Sequence, residues 1–389
     1  MKEEDNEIIL EIKKKEVNLD KIKGSLWGGA IGDALGYPVE FMSESRIHME
    51  YGKDGITEYD YDLRSGKALI SDDTQMTLFT ANGILWGETR GRMRGIAAMP
   101  HDYVAMSYED WLCTQECTQK EFEDRKKNGY QCWSWLCSIP ELFSRRAPGN
   151  TCLSALKSKK YGSLKNRIND SKGCGGIMRV APLALHYSNL DMETLDMEGA
   201  EIAAITHGHS LGYIPAAVLT HILSRIIYPD GERKPLRDIV EEAEDFVIKL
   251  FEGDENLGIL TLLIDLAISL SENDESDIEN IRKLGEGWVA EETLAISIYC
   301  SLRHQDDFSK GVIAAVNHDG DSDSTGAVTG NILGALLGFD AIEEKWKRNL
   351  ELSEILDEMS VDLCHGCLMS EYDSYRDDDW VAKYIEINR

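Results

Sequence analysis

The chain has 389 residues, 42% of them hydrophobic and 29% charged, which is the composition of a folded globular protein and not of a disordered one. A formal net charge of -29 argues against a broad nucleic-acid or anionic-membrane surface, since both need clustered Lys and Arg. Residues 1–7 lack the basic patch and apolar run of a secretory signal, no stretch reaches about 18 uninterrupted apolar residues, and the cysteines are scattered. A cytoplasmic monomer without nucleic-acid or membrane partners is the expectation.

Along the chain, residues 1–23 form a charged leader expected to be a short helix, and residues 24–389 read as one all-α domain. Gly24, Gly28, Gly32 and Gly36 recur at helical i+4 spacing, and Gly326, Gly330, Gly334 and Gly338 repeat the pattern. Glycine inside a helix costs about 1 kcal/mol against alanine, so such ridges imply another backbone packed very close. Asp33 within the first ridge, with its charged flanks, speaks against a membrane use of this device. Residues 55–63 are the best candidate for a short strand. Residues 196–227 carry Ile202, Ile205, Leu211, Ile214, Val218 and Ile222 at helical spacing, with Gly208 and Gly212 weakening continuity. Residues 238–252, 257–271 and 289–303 also read as helices, and the acidic run 272–277 as a solvated loop between two of them.

Cysteines occur as two close pairs, Cys113 with Cys117 and Cys364 with Cys367. A zinc site would need both pairs to meet in space, or other ligands to join. Reduced, packed thiols are the expected state.

Two acidic clusters carry the chemistry. Ser71, Asp72, Asp73 and Thr74 read as a helix start, with Ser71 as N-cap and acids suited to the positive end of the dipole. Capping alone would explain that cluster in isolation. The segment from Asn317 to Thr325 presents Asp319, Asp321 and Asp323 just before the second glycine ridge, with hydroxyls at Ser324 and Thr325. Carboxylates so close repel unless a cation neutralises them. The EF-hand template fails, because Gly320 falls between the first two Asp residues and the closing Glu is absent. Carboxylates and hydroxyls suit Mg²⁺ or Mn²⁺ better than Zn²⁺, and two clusters at helix starts could form a binuclear site about 3.5–4 Å across.

Taken with Gly28–Gly36, Pro38–Glu40, Pro148–Thr151, Gly173–Pro182, Thr206–His209 and Gly285–Trp288, these clusters form an ordered series through most of the chain. The sequence resembles the ADP-ribosylglycohydrolase family. That resemblance implies an all-α fold around a central site for two Mg²⁺ (or Mn²⁺) ions. Ser71, Asp72 and Asp73 would ligate from one side, and Asp321, Asp323 and Ser324 from the other. Glu40 would face the site, with Asp73 and Asp321 the other candidate catalytic carboxylates. Gly149, Asn150, Gly173, Cys174, Gly175 and Gly176 would hold the diphosphate and ribose, with His207 near the ligand or simply hydrogen-bonded in the core. Backbone N–H groups of such loops serve anions without basic side chains. Ser71 and Ser324 stand where many members carry Thr, which keeps the hydroxyl.

The implied reaction is hydrolysis of an N-glycosidic bond in an ADP-ribosylated protein, on arginine first, releasing ADP-ribose. ADP-ribosylserine, an O-acyl-ADP-ribose, or binding of ADP-ribose without catalysis are the alternatives. Trp288 is a candidate wall for a guanidinium pocket or a core aromatic, and Glu286 a possible charge partner.

Overall fold

Eighteen α-helices and several short 3₁₀ turns, joined by irregular loops, are found among the described residues. The computed structural model describes residues 3–96, 99–372 and 374–387, with side chains from residue 18 onward. In chain order the helices are α1 (Glu3–Gly36), α2 (Glu44–Tyr51), α3 (Asp72–Arg94), α4 (Pro100–Glu116), α5 (Gln119–Lys127) and α6 (Asn150–Lys157). Then come α7 (Ala181–His186), α8 (Met192–Ala204), α9 (Ser210–Ile227), α10 (Leu236–Leu250), α11 (Leu257–Ser271) and α12 (Asp277–Leu284). The chain closes with α13 (Ala290–Arg303), α14 (Phe308–Val316), α15 (Ser322–Leu337), α16 (Glu344–Lys347), α17 (Ser353–His365) and α18 (Asp378–Tyr384).

The two glycine ridges face each other. α1 and α15 run antiparallel, pairing Gly24 with Gly334, Gly28 with Gly330, Gly32 with Gly326, and Gly36 with Ser322. At each of these glycines a Cβ would fall onto a main-chain carbonyl oxygen of the other helix, which cannot move aside as a side chain could. Ser25 Oγ donates to the Asn331 carbonyl at 3.0 Å, and Asn331 Nδ2 returns a bond to the Ser25 carbonyl at 2.9 Å. Off the ridge, Ile22, Leu26, Ile31 and Leu35 of α1 are fully buried. The helix penalty of the glycines is therefore offset by backbone contact no larger residue permits.

α3 packs on α4 and α7, α8 on α9, and α13 joins α11, α14 and α15. α9 is 18 residues long and apolar, and 89% of it is buried in this packing, the pattern of a central core helix.

Some sequence expectations change. α1 is unbroken from Glu3 to Gly36, so the leader continues into the glycine-ridged helix and does not form a short helix of its own. The 196–227 run divides into α8 and α9 around residues 205–209. Residues 55–63 form no strand; among the described residues the nearest pairing is an isolated bridge between Ala68 and Leu350. The apolar alternation there docks a loop onto helices. Asn317 grips both main-chain polar groups of Ile56 (2.8 and 3.0 Å), and Tyr59 packs edge-on against Trp346.

Candidate active site

The α3 start is built by α1. Asp33, fully buried, accepts from the Ser71 N–H at 2.9 and 3.1 Å and from the Thr74 N–H and hydroxyl. Ser71 Oγ accepts from the Asp73 N–H at 3.1 Å, the N-cap bond expected from its sequence position. Before the helix, Ile70 N–H donates to Glu351 Oε2 (3.2 Å), and Arg146 pairs with the other oxygen of Glu351 (3.0 Å). Asp72 and Asp73 are thereby fixed in the first turn, where the helix dipole favours negative charge.

The α15 start is built by the 285–290 turn. Gly320 holds φ +148° directly against the Glu286 carbonyl, a position a side chain would block. The Asp321 N–H donates to that same carbonyl at 2.8 Å. Asp321 Oδ1 caps α15 by accepting from Ser324 N–H, and Cys174 Sγ donates to Asp321 Oδ2 at 2.6 Å. Residues 172–174 pair with 288–290 through Cys174 N–H to Trp288 O (3.2 Å) and Ala290 N–H to Lys172 O (2.9 Å).

These elements open on one cavity of about 340 Å³. Asp72, Asp73, Asp321, Asp323, Ser324 and Glu40 all line it. Carboxylate oxygens of Glu40, Asp321 and Asp323 lie within 4.8 Å of one another, and all three residues are buried. Burial first, and then the charges of Asp323, Asp321 and Asp72, push the Glu40 carboxyl up to about 11. Asp72, Asp73 and Asp321 are raised by burial and then by Asp323. Asp33 is raised to about 7 for the same two reasons, against the pull of its hydrogen bonds. Glu40 Oε2 and Asp73 Oδ2 are buried without a hydrogen-bond partner. Orphaned carboxylate oxygens packed against like charge fit a hard divalent cation, whose oxygen preference matches this donor set.

The rest of the wall is loop. Gly149 N–H donates to Asp72 Oδ2 at 3.3 Å, which ties the start of α6 to the acidic cluster. Cys174 opens a 3₁₀ turn and Asn150 opens α6, so two helical N-termini border the cavity, although the Gly173 and Cys174 N–H groups are taken by Ser171 Oγ and the Trp288 carbonyl. His207, behind Gly175, contacts Thr206 Oγ1 through Nδ1 at 2.8 Å. Burial, with the nearby Arg179 cation, drives its imidazole down to about 3, so it is neutral. Arg179 is itself fully buried and gives its donors to Thr206, the Ile202 carbonyl, Cys152 and Met76. At the rim, Trp288 stacks on Phe41 with ring centres 5.8 Å apart and planes 19° from parallel.

Of the residues singled out from sequence, Gly149, Asn150, Gly173, Cys174, Gly175, His207 and Trp288 share this cavity with the carboxylates. Three do not line it. Ser71 is buried beneath as the α3 cap. Gly176 abuts the Gly212 carbonyl, where a Cβ would clash. Glu286 is exposed and acts through its main chain. Trp288 is 38% exposed, which excludes the core-aromatic reading. Phe41 and Asp33 went unassigned in the sequence. Asp33 carried a signal, a charge inside a ridge otherwise built for burial; Phe41 carried none.

A model of the ADP-ribosylglycohydrolase family matches residues 14–373. The ADP-ribosyl-[dinitrogen reductase] glycohydrolase of Rhodospirillum rubrum is 25% identical over 342 residues, covering 86% of this chain and 91% of the relative. The ADP-ribosylarginine hydrolase Tri1 of Serratia proteamaculans is 25% identical over 352 residues, covering 89% of this chain and 79% of the relative. Among solved structures, a chain of an ADP-ribosylglycohydrolase-related protein complex shares the fold, with TM-score 0.57 and 22% identity over 90% of this chain and 98% of its own.

Proposed function

This chain belongs to the ADP-ribosylglycohydrolase family, and from that membership we propose that it is a metal-dependent hydrolase releasing ADP-ribose from arginine side chains of modified proteins. One observation carries the reading. Glu40, Asp321 and Asp323 bring buried carboxylate oxygens within 4.8 Å of one another in a cavity whose other walls are anion-binding loops and an aromatic pair.

Asp72, Asp73, Asp321, Asp323, Ser324 and the remaining lone pair of Ser71 would hold two Mg²⁺ or Mn²⁺ ions, which supply Lewis acidity and orientation at the ribose. The chain's own groups do the rest. N–H groups at the starts of α6 and of the 174–179 turn bind the diphosphate. Neutral His207 hydrogen-bonds the ligand but cannot serve as a cationic acid. With a cation offsetting the neighbouring charges that otherwise keep its carboxyl protonated, Glu40 would accept a proton from the attacking water as the water oxygen bonds to the anomeric carbon. The bond from that carbon to the guanidine nitrogen breaks, and the nitrogen takes up the proton. Trp288 and Phe41 stack on the planar guanidinium at the rim, which favours an arginine linkage over a serine ether. The relative named for ADP-ribosylarginine hydrolysis supports the same choice.

Matched peptides bearing ADP-ribose on arginine or on serine test the linkage. Faster release from arginine is expected, and faster release from serine would overturn the assignment.

A further inference from the structure

Four of the nine cysteines, none of them lining the carboxylate cavity, fall between residues 113 and 137. Cys113 and Cys117 lie on and just after the last turn of α4, with Sγ atoms 3.6 Å apart. Cys132 and Cys137 come from the segment between α5 and α6, where regular structure is limited to short 3₁₀ turns at Trp135–Ser138 and Pro140–Leu142. Ligand atoms of Asp110, Cys132 and Cys137 lie within 4.8 Å of one another, and all three residues are buried. The Cys364 and Cys367 pair does not join them, so the two close pairs of the sequence do not make one site. Cys367 sits instead at the far end of α3, its N–H on Glu88 Oε2 at 3.0 Å.

We propose that Asp110, Cys132 and Cys137, with Cys113 as fourth donor, form a structural Zn²⁺ site. Asp110 and Cys113 are three residues apart on α4 and so share a helix face. Tetrahedral zinc with Zn–S bonds of about 2.3 Å sets ligand atoms about 3.8 Å apart, so the three-residue group needs a contraction of about 1 Å or less. Asp110 is already aimed, accepting from Trp133 N–H at 2.6 Å and the Tyr130 hydroxyl at 3.0 Å. Its other partners are the Ser134 N–H and the Cys132 thiol at 3.6 Å, a thiol shared with the Ser134 carbonyl at 3.2 Å, and loss of that proton opens the carboxylate edge it faces. Arg125 of α5 places Nη1 3.3 Å from Cys113 Sγ, a cation that works against the burial and the Cys117 contact which push that thiol up to about 12. Cys132 also borders a cavity of about 360 Å³ lined by Trp86, Arg90 and Trp133, an entry path. Soft thiolates select zinc, whereas the all-oxygen cluster selects a hard ion, so the two sites draw on different metals. Zinc would tie the irregular 128–149 segment, which carries Ala147, Pro148 and Gly149 to the carboxylate cavity, onto α4.

The test uses the full chain, reduced, loaded with Zn²⁺ and passed through a weak chelator, with zinc counted by plasma mass spectrometry. About one zinc per chain is expected. It should persist in Asp323→Asn and fall at least tenfold in the Cys132→Ser/Cys137→Ser double variant. Zinc-free wild-type protein after loading, or wild-type zinc content in the double variant, would overturn the proposal. Should the double variant not fold, Co²⁺ added to metal-free wild type decides. A thiolate-to-cobalt charge-transfer band that survives Cys174→Ser supports the site, and absence of the band overturns it.

Discussion

Asp33 accepts the Ser71 N–H through both carboxylate oxygens, at 2.9 and 3.1 Å, so a residue of the glycine-ridged helix holds the first turn of the helix that carries Asp72 and Asp73. Replacing Asp33 with Ala orphans the buried N–H groups of Ser71 and Thr74, at about 1–3 kcal/mol for each. Relief of repulsion with Asp323 offsets part of that loss, but only while no cation neutralises the cluster. Asp33→Ala should therefore lose more stability in Mg²⁺ than in chelator, as read by urea unfolding in both. Equal losses would show that Asp33 does not support the acidic site.

The raised carboxyls set a pH dependence. Asp33 rises from 3.8 to about 7, and Asp72, Asp73 and Asp321 are also raised. A carboxyl raised by folding contributes stability that is full below its unfolded pKa and is lost as pH climbs through the folded one. A bound divalent ion needs the deprotonated forms, so metal stabilisation grows over the same range. His207 and His318, buried and neutral, have the opposite slope. They cancel in the difference between metal-loaded and chelated Tm. That difference should widen between about pH 5 and 8; a constant or narrowing difference would contradict the coupling.

Gly330 faces the Gly28 carbonyl with no room for a Cβ. Gly330→Leu should cost at least the upper end of the about 1–3 kcal/mol typical of overpacking, because main chain must move. Gly258, in α11, has nothing within 4 Å of its Cβ position, so Gly258→Ala should be neutral or stabilising by up to about 1 kcal/mol. Thermal unfolding of both variants separates the ridge from helix propensity. A Gly330→Leu chain with wild-type Tm would refute the close crossing.

Phe41, 72% exposed, and Trp288 present a stacked pair at the cavity rim. Stacking of this kind is worth about 0.5–1.5 kcal/mol. Trp288→Ala should raise KM for an arginine-linked substrate by about two- to tenfold with a smaller effect on kcat, and should narrow the preference over serine. An unchanged preference would remove Trp288 from the leaving-group pocket.

Much of this site was legible because its signals are local. Ser71 before two acids, three Asp residues before a glycine ridge, and glycines at i+4 each have a physical reading that needs no partner. Elements defined by contact were not legible. Residues 55–63 alternate like a strand, but Ile56 and Tyr59 spend that pattern on Asn317 and Trp346. Phe41 looks like any core aromatic until its exposure is known. Asp110 and Cys132 gave no sequence sign of meeting, because α4, α5 and a turn must fold before they do.

The central claim is that the acidic cavity works through divalent metal. Its most direct test is release of ADP-ribose from an ADP-ribosylarginine protein by the chelated chain, before and after Mg²⁺ or Mn²⁺ is restored. Release should be absent in chelator and return with either ion, and Asp321→Asn and Asp73→Asn should each lower it by roughly two orders of magnitude or more with the helical fold intact. Undiminished release after exhaustive chelation would contradict the account.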